Sequence, residues 1–243
     1  MKRIFLVAIG LCFASLAAGQ TFPAKPVKLM VGYAAGGPTD VIARILAQDM
    51  TAALGQTVLV ENKTGAGGMI ATQELKRAAP DGYTLLMITL SHNVNAILCA
   101  DKKPYDPILD FTTVSLVALL PLVMVTKGDS PFNSAADVVN AARAKPGEVT
   151  YASSGSSGSA HLAGALVEAL SKTKMTHVPF RGNAPALTEV MAGRVSFMFY
   201  PMIGIADQVA QKRLKVIAAS TEKRHPDYPG APTMAESGFP GFE

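Results

Sequence analysis

A largely apolar run, Val27-Lys28-Leu29-Met30-Val31, ends in Gly32-Tyr33-Ala34-Ala35-Gly36-Gly37-Pro38-Thr39-Asp40. It passes directly into a segment where Val41, Ile42, Ile45, Leu46, Met50, Ala53 and Leu54 recur at helical spacing. A short apolar run, then glycine, then a period near 3.6 specifies strand, turn and helix. The Gly-Gly-Pro turn leaves the first amides of that helix without intrahelical acceptors, with the positive end of the helix dipole behind them. This is a seat for an anion. About 120 residues later the pattern returns: Val149 to Ser153, then Ser154-Gly155-Ser156-Ser157-Gly158-Ser159, then a helical pattern through Leu162, Leu166 and Leu170. Two such turns facing each other would make one site.

Between these units, strand and helix alternate. Gly55 ends the first helix, and Thr57 to Glu61 reads as a second strand. A glycine turn (Gly65-Ala66-Gly67-Gly68) follows, then a helix from Met69 to Ala79 and a strand from Tyr83 to Thr89. This order predicts an open parallel sheet with ligands at the carboxyl ends of its strands, where Ser91-His92-Asn93 also falls. The proline-rich stretch Pro104 to Phe111 is turn-like. Thr113 to Leu119 and Leu122 to Thr126 read as extended and lead into a second unit. Ser134 with Asp137 is a capping-box variant opening a helix to Ala144. Strands at Met175–Phe180 and Val195–Tyr200 flank a helix from Pro185 to Ala192, and a short helix, Ile203 to Gln211, follows. Leu214 to Ala219 is read as the strand that returns the chain to the first unit, and the segment from Thr221 as turns.

Lys2 and Arg3 followed by the apolar stretch Ile4 to Leu16 and Ala17-Ala18-Gly19 have the form of an export signal, with cleavage near Gly19. The apolar stretch is too short to span a bilayer, and Leu11 before Cys12 argues against a lipid-attachment site. Without Lys2 and Arg3 the 22 basic residues become 20 against 18 acidic, a balance too even to indicate nucleic acid. Cys99 is then the only cysteine, which leaves no disulfide framework.

Several chemistries fail on spacing. A phosphate-binding P-loop needs Lys-Ser/Thr after its last glycine, but Gly158 is followed by Ser159-Ala160. Gly65-Ala66-Gly67-Gly68-Met69-Ile70 lacks the third glycine of a dinucleotide fingerprint. The hydrolase elbow breaks at Ser159, although Ser157 or Ser159 with His161 is the pairing an enzyme would use. His92, His161, His177 and His225 show no metal-ligand spacing. Asp40, in the first helical turn, is read first as a partner of its own turn, with an encounter with a ligand cation as the alternative. Tyr33, Phe180 and Tyr200 are sheet aromatics that suit the core or a ligand face, and Arg181 could hold a carboxylate bidentately.

The sequence resembles the Bug-type solute-binding receptors of tripartite tricarboxylate transport systems. The resemblance rests on Gly36-Gly37-Pro38-Thr39-Asp40-Val41-Ile42-Ala43-Arg44, Glu61-Asn62-Lys63 with Gly65 to Gly68, Pro80-Asp81-Gly82-Tyr83, Tyr105-Asp106-Pro107 and Ser153 to Leu162. Pro232-Thr233 and Glu236-Ser237-Gly238 extend it. It implies an α/β, type II periplasmic binding fold with two lobes and a ligand cleft, and a carboxylate held through backbone amides, hydroxyls and water.

On this reading residues 1–19 are a signal, 20–117 with 215–243 form lobe 1, and 118–214 form lobe 2. The relatives continue past Gly241, so part of lobe 1 is expected to be missing. Phe180 stands where the family usually has tyrosine. The expected ligand contacts are Tyr33, Ala35, Gly36, Gly37, Thr39, Asp40, Ser91, His92, Ser153, Gly155, Ser156, Gly158, Ser159, His161, Phe180, Arg181 and Tyr200. The implied protein is a monomeric periplasmic receptor with no metal or cofactor. It would take a small organic acid (di- or tricarboxylate, amino acid or aromatic acid) to membrane transporter subunits. The alternatives are presentation to a membrane sensor, a truncated non-binding remnant, and a secreted serine hydrolase.

Overall fold

The computed structural model describes residues 21–99, 101 and 104–242. The export-signal reading lies outside them. The first layer is a three-stranded parallel sheet in the order β2-β1-β3, from β1 (Val27–Val31), β2 (Val58–Asn62) and β3 (Thr84–Met87). Helix α1 (Pro38–Leu54) crosses from β1 to β2 and α2 (Met69–Arg77) from β2 to β3, as parallel pairing requires. Pro38 suits the start of α1, where no amide bond is lost, and Gly55 closes it in the left-handed conformation (φ 66°). Ala43 and Ala47 of α1 pack on Val27, Leu29 and Val31.

Helix α3 (Ser91–Leu98) begins where the sequence suggested only a sheet-edge loop. No regular element covers 112–121, and Val114, Leu116 and Leu119 in it are exposed. The stretch that reads as extended, Thr113 to Leu119, has strand character but forms no strand with any described residue.

The second layer is a five-stranded mixed sheet, β6-β5-β7-β4-β8. Its strands are β4 (Leu122–Lys127), β5 (Thr150–Ser153), β6 (Thr176–Pro179), β7 (Phe197–Pro201) and β8 (Leu214–Ala219). Strands β6, β5 and β7 run parallel, and β4 runs antiparallel to both β7 and β8. Alternate residues feed two cores. Met124, Tyr151, Phe197, Phe199 and Ile217 face α4 (Ala135–Ala144) and α5 (Ser159–Ser171); Val123, Val125, Ala152, Met198 and Tyr200 face α6 (Asn183–Met191) and α7 (Ala206–Ala210). The Ser134 hydroxyl accepts the Asp137 amide at 3.1 Å and starts α4 as its capping pattern predicts.

The placement of 215–243 in lobe 1 is also corrected. Strand β8 joins the second sheet beside β4, Ala219 forms a bridge to Thr233, and Met234, Phe239 and Phe242 bury themselves against Phe199 and its neighbours. The physical reason is coverage: β4 is apolar on both faces, and the turn-rich tail supplies the cover at this end of one of them.

Candidate functional site

Helices α1, α5 and α6 begin at the seam between the two sheets, after β1, β5 and β6. Gly37 caps α1 in extended conformation, and the Val41 amide bonds back to its carbonyl at 3.0 Å. Among the described residues, the amides of Gly37 and Thr39 have no acceptor. Gly158 caps α5 in the same way, with the Leu162 amide on its carbonyl at 3.1 Å. The α1 turn meets α6 most closely: a Cβ on Gly37 would stand 3.6 Å from the Ala184 nitrogen. Two positive dipole ends therefore point into one seam, an arrangement stabilised by a negative charge between them.

The lobes touch through backbone. Ala34 donates its amide to the Arg181 carbonyl at 3.0 Å, and a Cβ on Gly182 would lie only 2.8 Å from the Ala34 nitrogen. At a second contact a Cβ on Gly155 would lie 3.1 Å from the Gly67 Cα, and one on Gly67 would lie 2.5 Å from the Ser157 hydroxyl oxygen. Only glycine fits at either place. The expected pairing of the α1 turn with the serine loop is thus refined: the nearest neighbour of the α1 turn across the seam is the start of α6, and that of the serine loop is the turn at Gly67.

Asp40 is buried and acts within its own turn. Its carboxylate accepts the Gly36 amide at 2.9 Å, Arg44 Nε at 2.9 Å and Nη2 at 3.1 Å, and Asn62 Nδ2 at 2.9 Å. Burial alone would raise its pKa, but the Arg44, Gly36 and Asn62 hydrogen bonds outweigh that and hold it below the ordinary value. Asn62 also donates to the Tyr33 carbonyl at 3.0 Å, so both ends of the 33–36 turn are pinned.

Tyr33 lies under the floor of the seam. Its hydroxyl meets Thr89 Oγ1 at 2.7 Å and Ser91 Oγ at short range, and reaches the Gly67 carbonyl at 3.4 Å; burial raises its pKa. Ser91 is buried in that same network. His92 is stacked on Tyr105 at 5.0 Å and edge-on to Phe111, with Nε2 on the Pro107 carbonyl at 3.1 Å and a buried Nδ1 that has no partner among the described residues. Tyr200 is core, packed on the α6 side of the sheet, where burial raises its pKa to about 12. Phe180 is half-buried beside it, and the Arg181 side chain is exposed while its carbonyl joins the lobes.

In the serine loop, Ser153 is fully buried. Its hydroxyl lies 2.9 Å from the Gly155 carbonyl, 3.2 Å from the Gly155 amide and 2.6 Å from His177 Nε2. It shapes the loop and is closed to a ligand. His161 and His177 stack with ring centres 4.1 Å apart, and burial followed by the charge of His161 pushes the His177 pKa down to about 4. The buried Nδ1 of His161 has no partner among the described residues. Ser156 is exposed, Gly158 buried, Ser159 half-buried, Ala35 and Gly36 exposed, and Thr39 half-buried.

Three polar residues outside the expected ligand contacts lie at these turns. Among the described residues, the 2% exposed Ser157 has a hydroxyl without a partner and Asn183, which begins α6, has a buried Oδ1 without one, while Asn95 donates to the Gly67 carbonyl at 3.1 Å. Ser157 and Asn183 sit directly after strands at glycine turns, a readable signal; Asn95 is brought in from 28 residues away. Among the described residues no cluster of three or more metal-binding side chains exists, and no helix is long and apolar enough to cross a membrane.

The family model for "Tripartite tricarboxylate transporter family receptor" matches residues 42–243. BugT of Bordetella pertussis is 33% identical over 98% of the chain and 73% of its own length. A protein of Pseudomonas sp. strain P51 encoded between tcbD and tcbE is 37% identical over 92% of the chain and 67% of its own. The periplasmic binding protein BugD superposes with a TM-score of 0.85 at 34% identity, over 91% of this chain and 74% of that one. MatC from Rhodopseudomonas palustris, solved with bound malate, gives 0.86 at 31%, over 91% and 76%. An R. palustris protein solved with adipate gives 0.85 at 31%, over 91% and 74%.

Proposed function

The chain belongs to the tripartite tricarboxylate transporter receptor family, a family of solute-binding proteins and not enzymes, and from that premise we propose that it captures a small carboxylate in the seam between its lobes. The observation that carries this reading is the meeting of the α1 and α6 amino-terminal ends at one contact across the seam, with the buried Ser157 hydroxyl, which has no partner among the described residues, at the other contact, against Gly67. Free amides and a hydroxyl recognise a carboxylate without a basic side chain, which suits acids differing only at their far end. The malate and adipate carried by two similar structures are both carboxylates, which supports the ligand class.

The ligand's near carboxylate takes the amides of Gly37, Thr39 and Ser159 together with Ser157, while Arg181 and the half-buried Phe180 stand toward its far end. The receptor works in the periplasm and passes its ligand to the membrane subunits of a tripartite tricarboxylate transporter. Isothermal titration of the protein with malate, adipate, citrate, aspartate and benzoate tests this. At least one acid is expected to bind without turnover and to raise Tm. No heat and no Tm shift with any of the five would overturn the reading.

A further inference from the structure

Arg44 is half-exposed on the outside of α1, yet it makes two hydrogen bonds to a carboxylate that is almost wholly buried. That carboxylate, Asp40, lies one helical turn or less from the free amides of Gly37 and Thr39, so it places a negative charge where an anionic ligand is to be held. One turn is about 5.4 Å, inside the screening length of about 8 Å at physiological ionic strength. Asp40 also draws the Gly36 amide away from the set a ligand could use. Alone, it would oppose carboxylate binding.

We propose that Arg44 is a positioning and counter-charge residue of the anion seat: through Asp40 it cancels the carboxylate that shapes the turn, so the turn is held rigid while the seat stays receptive to an anion. This inference rests on the carboxylate reading above. The geometry supports it on both sides of the pair. Asp40 has all its hydrogen bonds within the turn and its supports, from Gly36, Arg44 and Asn62, and Asn62 ties the same cluster to the Tyr33 carbonyl. Arg44 reaches Asn62 Oδ1 as well, at 3.3 Å, so its guanidinium faces this one cluster. A guanidinium fork is suited to a bidentate hold of this kind.

The test is a charge cycle read as Kd for malate and adipate, with Tm and circular dichroism confirming that each variant is folded. Arg44→Met leaves Asp40 unbalanced and is expected to weaken binding at least tenfold. Asp40→Asn leaves Arg44 unbalanced and is expected to bind severalfold more tightly. The double variant Asp40→Asn/Arg44→Met restores neutrality and is expected to recover most of the affinity lost in Arg44→Met. A purely structural role would make the double variant bind as weakly as Arg44→Met or more so, and that outcome overturns the proposal while leaving the carboxylate reading intact. If the unaltered protein binds neither acid, the seat itself is refuted and the proposal falls with it.

Discussion

The amide of Ala34 donates to the carbonyl of Arg181 at 3.0 Å, joining a turn of the first lobe to a loop of the second through main chain alone. The bond is possible because Gly182, next in the chain, has no Cβ where one would approach the Ala34 nitrogen to 2.8 Å. Gly182→Val is expected to hold the lobes apart. Small-angle scattering should then show no contraction on adding a ligand that compacts the unaltered protein, with affinity lower by tenfold or more. A full contraction in the variant would show that the contact is incidental.

Ser157 offers a cleaner separation of binding from folding. Its hydroxyl is buried without a partner among the described residues, so removing it deletes no hydrogen bond between them. A hydrogen bond to a charged group contributes about 1.5–3 kcal/mol, so Ser157→Ala is expected to weaken carboxylate binding by roughly tenfold or more. Tm without ligand should stay level or rise. Unchanged affinity would place the ligand elsewhere.

His177 makes stability pH-dependent with a definite sign. Its folded pKa, about 4, lies below the ordinary 6.5, because burial and then the neighbouring His161 disfavour its charge. The unfolded chain therefore takes up a proton first as pH falls. The stability tied to neutral His177 is complete above pH 6.5 and is lost progressively toward pH 4. Allowing for solvent screening, the loss is on the order of 1–2 kcal/mol. Urea titrations between pH 7 and 4 should show this slope, and His177→Gln should flatten it.

Phe242 is 5% exposed and stacked on Phe199 with ring centres 5.4 Å apart. Phe242→Ala is expected to cost about 3 kcal/mol, typical of a large-to-small change in a core. Equilibrium unfolding checks this. A loss below about 1 kcal/mol would mean that the tail only rests on the sheet.

Local chemistry was legible wherever an element carries its own punctuation. Gly37-Pro38 and Gly55 bracket α1, and Ser134 with Asp137 opens α4, because capping is decided within a few residues. What could not be read was partnership at a distance. The apolar residues of β8 declare a strand, yet nothing in them says that β4 is its neighbour. The stretch 112–121 has strand residues, yet it pairs with no strand among the described residues. In the site, Asp40 and Arg44 stand at helical i, i+4 spacing and their pairing was open to inspection. Asn62 and Asn95 reach their partners only after the sheet has assembled. The packing of His92 was equally hidden, since Tyr105 and Phe111 pack on its ring only once the chain has folded back over α3.

The contact between Ala34 and Arg181 has a consequence for how such a receptor can diversify. Because donor and acceptor are both peptide groups, most side-chain replacements along the cleft walls leave the bond possible. The requirement falls on one glycine and on the path of two loops. Changes at Phe180 or in the Arg181 side chain can then alter the wall of the seam while the bond between the lobes is kept. A library randomised at those two positions, with Gly182 kept, should yield many variants that keep the contact between the lobes and, on the carboxylate reading, few that share a preferred acid.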